Sequence, residues 1–233
     1  MVEQGGTCKP LITGMTEPQA ATITVDDTSV SGLLLMPDGA RACYVLAHGA
    51  GAGMFHPFVA TLANGLAERG IATLRYQFPY MEQGSKRPDA PKLAQATVRA
   101  AVLEASRLAP ELPLLAGGKS FGGRMTSQAQ AASPLPRVHG LAFLGFPLHP
   151  SGRPSDERAA HLFQIEIPML FLQGTRDALA DTQLMQALVR RLGPRARLSP
   201  IADADHSFRV CQNALDARMR KSDPICWIRW QAG

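Results

Sequence analysis

The sequence predicts an α/β fold: a mostly parallel sheet with an antiparallel N-terminal strand and helices on both faces. Three observations lead there. From residue 43 onward, short apolar runs alternate with amphipathic segments of helical period. Two β-branched segments precede that alternation, the second ended by Pro37-Asp38-Gly39, a strong turn signal. A Gly-x-Ser-x-Gly stretch stands between an apolar run and a helical one.

The elements follow in order. Residues 1–20 are polar, with Gly and Pro, and read as a loose leader to a single domain over 21–233. Residues 21–25 and 30–36 form an antiparallel pair. Residues 43–47 are continuously apolar, as in a strand buried on both faces. Phe58, Leu62 and Leu66 recur every fourth residue, giving a helix over 57–69 that Gly70 ends. Strand 71–76 is followed by a long loop, 78–91, rich in Pro, Gly and charge. A helix over 93–108, a strand over 112–116 and a helix from about 122 to 132 come next. Strand 138–146, loop 147–154, a weak helix over 156–163, strand 169–173, helix 182–192 and strand 197–201 complete the alternation, with helical sequence again from about 210. This order of two strands and then strand–helix repeats is that of a parallel sheet wrapped by helices.

Composition narrows the function classes. The 233 residues are 45% hydrophobic and 18% charged, which excludes a disordered chain and suits one buried core. No apolar run reaches the ~18 residues of a membrane span, and the N-terminus lacks a signal-peptide layout, so a cytoplasmic location is expected. The four cysteines have neither Cys-x-x-Cys nor Cys/His zinc spacing; Cys43 reads as a buried, reduced thiol. The net charge of +5 is spread along the chain, with no basic cluster interleaved with aromatics, so no nucleic-acid partner is expected. Metal and cofactor are likewise not expected.

Gly118-Lys119-Ser120-Phe121-Gly122 carries the chemistry. A nucleophilic serine on a tight strand-to-helix turn needs glycines on either side, because a side chain at Gly118 or Gly122 would strike neighbouring elements. Gly-Lys-Ser could instead belong to a phosphate-binding loop. That motif requires a glycine at position 113, where this chain has Pro. A serine hydroxyl needs a histidine base, and the base needs a carboxylate. His206 lies in a polar loop after the last strand, at the sheet edge where such sites gather. Asp177 ends a strand–turn stretch at the same edge. Asp203 and Asp205 are rival acids by proximity to His206, and Asp181 reads as a helix N-cap. His139, at a strand start, reads as structural; His149 and His161 read as more exposed than pocket-lining. The oxyanion donors expected are the N–H groups of Phe121 and, from the loop 48–53, of Ala50 with Gly51 as its rival. Met54, Phe55, Phe146 and Leu148 are the candidate apolar lining, with Lys119 either beside the site or turned into a structural contact.

On these residues the sequence resembles the α/β-hydrolase superfamily, and within it the small dienelactone hydrolase-like proteins, over about residues 21–210. The resemblance rests on His48-Gly49-Ala50-Gly51, Arg75-Tyr76-Gln77-Phe78-Pro79-Tyr80, the stretch from Gly118 to Gly123, Gly145-Phe146-Pro147-Leu148, Gln173-Gly174-Thr175-Arg176-Asp177 and Asp205-His206-Ser207-Phe208. It implies Ser120 as nucleophile, Asp177 as acid and His206 as base. Dienelactone hydrolases carry Cys at the nucleophile, so the serine here argues against that substrate. Pro224 also breaks the single long C-terminal helix such proteins have; Trp227 and Trp230 are expected to pack on the sheet. The segment between Phe146 and Ile167 is too short for a full cap. The expected partner is a small-molecule acyl substrate, cleaved as an ester or thioester. Acyl transfer or perhydrolysis on the same triad, and a non-catalytic binding role, are the alternatives.

Overall fold

The computed structural model describes residues 17–210. It opens on a hairpin of β1 (Gln19–Val25) and β2 (Thr28–Leu35), then alternates: β3 (Ala42–Ala47), α1 (Pro57–Ala67), β4 (Ile71–Tyr76), α2 (Pro79–Glu82), α3 (Pro91–Leu108), β5 (Leu114–Lys119), α4 (Phe121–Ala132) and β6 (Val138–Leu144). A 3-10 segment (Glu157–Gln164) leads to β7 (Met169–Gly174), α5 (Thr182–Leu192) and β8 (Ala196–Ile201). The helical sequence from residue 211 on, Trp227 and Trp230 included, lies outside the described residues.

The eight strands form one sheet in the order β1-β2-β4-β3-β5-β6-β7-β8. Only β2 runs against the others: it pairs antiparallel with both β1 and β4, and every later pairing is parallel. A parallel sheet must bury both faces, and β3 does so by alternation. Cys43, Val45 and Ala47 join the larger core cluster, where α3 and α4 residues such as Val98, Val102 and Met125 pack. Tyr44 and Leu46 point the other way, into a smaller cluster with Val59 of α1. Helices thus cover both faces, and the C-terminal edge of the sheet is left to loops. Among the described residues no helix is long and apolar enough to cross a membrane.

Three expectations needed correction. The strand before Ser120 is not 112–116 but Leu114–Lys119. Gly117 and Gly118 are poor strand formers in isolation, yet each pairs with β3 on one side and β6 on the other, and tertiary pairing overrides propensity. The loop 78–91 contains a helical turn, α2, because Pro79 sits where a helix tolerates proline and Phe78 and Tyr80 are buried. The segment at 156–163 winds as a 3-10 helix. Asp181 caps α5 by accepting from the N–H groups of Gln183 and Leu184.

Candidate active site

β3, β5, β7 and β8 all end at one edge, and each hands a loop to the same place. Ser120 follows β5 directly and is held at φ 49°, ψ −113°, a strained conformation for a non-glycine residue. Its N–H is tied to the Leu144 carbonyl at 3.0 Å. The turn is possible only because its flanks are bare. A Cβ on Gly118 would lie 2.1 Å from the Ala47 carbonyl oxygen, and one on Gly122 would lie 2.5 Å from that of His48. Both contacts are with backbone, which cannot move aside.

Ser120 Oγ lies 2.8 Å from His206 Nε2, and His206 Nδ1 lies 2.7 Å from Asp177 Oδ2. The carboxylate accepts, so Nδ1 carries the proton and Nε2 is left free to take the one on Ser120. Asp177 is buried and fully engaged: Oδ2 also accepts from Gln173 Nε2 at 2.5 Å, and Oδ1 accepts from the Leu179 N–H at 2.8 Å. Gln173 in turn accepts from the Phe146 N–H at 2.9 Å. The rival acid Asp205 accepts instead from the N–H groups of Ser207 and Arg209. The Asp203 N–H donates to Thr175 Oγ1.

The loop after β3 is fixed from behind. His48 is fully buried; its Nε2 accepts from the Phe78 N–H at 3.1 Å, so Nδ1 bears the proton and donates to the Gly49 carbonyl at 2.7 Å. Burial holds its pKa down at about 4. The Gly51 N–H donates to the Tyr80 hydroxyl at 2.9 Å. That leaves the exposed Ala50 N–H without an acceptor among the described residues. Phe121 opens α4, and its N–H belongs to the helix's unpaired first turn. Its ring packs edge-on against Phe78 at 5.3 Å.

The sequence-derived lining fares differently. Met54, Phe146 and Leu148 are at most 2% exposed. They are packed in the interior rather than lining an open wall; Phe146 is held by Phe143 and Phe171 rings at 5.4 and 5.8 Å. Phe55 is 67% exposed and stands out into solvent. Lys119 takes the structural contact, donating to the His206 carbonyl at 2.6 Å. His149 is buried, contrary to expectation: its Nε2 accepts from the Asp181 N–H and its Nδ1 donates to the Pro150 carbonyl. His161 is also partly covered, and Nε2 meets Ser127 Oγ at 2.7 Å. This second serine–histidine pair has no carboxylate bonded to it among the described residues, and Ser127 is fully buried. His139 is exposed on β6. Sequence reasoning missed the support roles of Gln173 and Tyr80. The available signal was a polar side chain inside an apolar strand, Leu172-Gln173-Gly174, and a tyrosine beside Phe78 at the start of a loop otherwise rich in Pro, Gly and charge.

A family model for an alpha/beta hydrolase domain matches residues 40–222. The chain belongs to the alpha/beta hydrolase family. Solved structures similar to this alpha/beta hydrolase include a serine hydrolase homologue from Coxiella burnetii, 19% identical, with a TM-score of 0.70 over 88% of this chain and 95% of that one. A serine hydrolase without a lid from Xanthomonas campestris is 22% identical, with a TM-score of 0.68 over 92% and 95%. A dienelactone hydrolase from Anabaena variabilis is also 22% identical, with a TM-score of 0.68 over 88% and 95%. These likenesses are of fold.

Proposed function

We propose that this alpha/beta hydrolase is a serine hydrolase that cleaves a small or medium carboxylic ester or thioester through an acyl-enzyme on Ser120. The observation that carries the reading is the unbroken hydrogen-bonded chain from Ser120 Oγ through His206 to Asp177. His206 Nε2 accepts the hydroxyl proton as Ser120 Oγ attacks the acyl carbon. The resulting imidazolium is stabilised by the buried Asp177 carboxylate beside it. The oxyanion is met by the N–H groups of Phe121 and Ala50. Ala50 is preferred over Gly51 because the Gly51 N–H is already committed to Tyr80.

Collapse of the tetrahedral intermediate breaks the acyl–oxygen or acyl–sulfur bond, and His206 returns its proton to the leaving alcohol or thiol. Water then attacks the acyl-enzyme with His206 again as base, releasing the acid and restoring Ser120. Only a short 3-10 segment lies between β6 and β7, which suits a thinly covered site and compact acyl groups. The serine at the nucleophile argues against dienelactone, the substrate of the Anabaena protein. The test is turnover of short p-nitrophenyl esters and acyl thioesters by wild type and Ser120→Ala. Loss of turnover in the variant is expected; undiminished turnover overturns the assignment.

A further inference from the structure

Lys119 is the residue before the nucleophile, and none of the chemistry above uses its ammonium. Its stem runs against the loop after β3: a Cβ on Gly49 would lie 3.4 Å from Lys119 Cγ. Its Nζ crosses to the last loop and donates to the main-chain carbonyl of His206 at 2.6 Å. A single point behind the triad shows how closely the groups gather. A Cβ built on Gly145 would lie 2.9 Å from Lys119 Nζ, 3.4 Å from the His206 carbonyl oxygen and 3.5 Å from Asp177 Oδ2. The ammonium also lies 5.3 Å from the centroid of the Phe208 ring, which stacks on Phe58 of α1 at 5.5 Å.

The last loop needs such a tether. It carries two non-glycine residues at positive φ, Asp203 and Phe208, on either side of His206. A displacement of about 1 Å at the imidazole would break its two hydrogen bonds and cost about a hundredfold in rate. We propose that Lys119 is a positioning residue: by joining the strand that carries Ser120 to the backbone of His206, its cation holds the imidazole in register with both Ser120 and Asp177. This rests on the triad reading given above.

Charge matters as well as reach. Lys119 makes no ion pair within 4.0 Å among the described residues; the charged groups facing it are Asp177, from the turn after β7, and Asp205, from the last loop, with His206 the titratable neighbour. Burial pushes the amine down to about 8, against the opposing pull of the two carboxylates. Above that pH the neutral amine is a weaker donor to the carbonyl.

The experiment measures fluorophosphonate labelling rates and steady-state ester hydrolysis from pH 6 to 10 for wild type, Lys119→Met and Lys119→Arg, each confirmed folded by circular dichroism. Labelling of wild type at Ser120 tests the triad reading by itself. Given that labelling, Lys119→Met is expected to lose about ten- to a hundredfold in labelling rate and kcat with KM little changed, the scale of one charge-assisted hydrogen bond. Lys119→Arg is expected to recover most of the rate and to lack the decline expected of wild type above about pH 8. If Lys119→Met matches wild type in rate and pH profile, or if Lys119→Arg behaves as Lys119→Met does, the proposal is overturned. If Lys119→Met does not fold, the alkaline decline in wild type and its absence in Lys119→Arg decide it alone.

Discussion

His48 makes the fold sensitive to acid at the loop after β3 that presents the Ala50 N–H. Its imidazole has no exposed surface and must stay neutral, since Nε2 accepts from the Phe78 N–H and a second proton there would set donor against donor. Burial holds the folded-state pKa at about 4, against about 6.5 for a histidine in the unfolded chain. The folded state therefore binds fewer protons than the unfolded state between those values. The stability contribution is complete above about pH 6.5 and is lost as pH falls towards 4. At pH 5 the loss is about 2 kcal/mol for this one group. His161, held down at about 4 by burial and by Arg124 beside it, adds a similar amount. Together they remove about 4 kcal/mol by pH 5, a large part of a typical total of 5–15 kcal/mol. Urea unfolding of wild type, His48→Gln and His161→Gln at pH 7 and pH 5 measures this. Each variant is expected to lose about half as much stability between the two pH values as wild type does. The comparison is of slopes, so an offset in either variant's stability does not matter. Equal losses in all three proteins refute the argument.

Three further outcomes follow from the same geometry. Gly122→Ala sets a methyl 2.5 Å from the His48 carbonyl oxygen and 2.6 Å from Ala47 Cβ. A stability loss of about 3 kcal/mol or more is expected in urea, and a loss well under about 1 kcal/mol would contradict the close approach. Tyr80→Phe removes the acceptor of the Gly51 N–H and loosens the loop that presents Ala50. We expect kcat/KM on a p-nitrophenyl ester to fall roughly fivefold, the scale of one hydrogen bond; an unchanged value counts against the loop's role. Asp177→Asn preserves shape but can donate to His206 and so favours the wrong tautomer. A fall in kcat of about ten-thousandfold is expected, and a fall of less than about tenfold would remove Asp177 from the chemistry.

Much of the fold could be read from periodicity, because a parallel sheet imposes it. β3 is apolar throughout since each face meets a different core cluster, and α1 repeats every fourth residue since only one side meets the sheet. What periodicity could not reveal depends on pairing partners. Gly117 and Gly118 look like a turn until β3 and β6 flank them. At the site, the meeting of Ser120, Asp177 and His206 was legible because chain order and strand ends bring such residues to one edge. The lining was not. Hydrophobicity marks Phe146 and Leu148 equally for a core or a pocket wall, and only packing against Phe143 and Phe171 assigns Phe146 to the core. His149 and His161 looked like surface residues because their partners, the Asp181 N–H and Ser127, are remote in sequence.

The proposed function requires that Ser120, and no other serine, be activated for attack. Reaction with a fluorophosphonate under native conditions, followed by peptide mass spectrometry of wild type and His206→Ala, tests it most directly. One labelled residue, Ser120, is expected in wild type, with the labelling rate lowered by orders of magnitude in His206→Ala. Label on Ser127, whose histidine pair has no bonded carboxylate among the described residues, or no label on a folded wild-type protein, would contradict it.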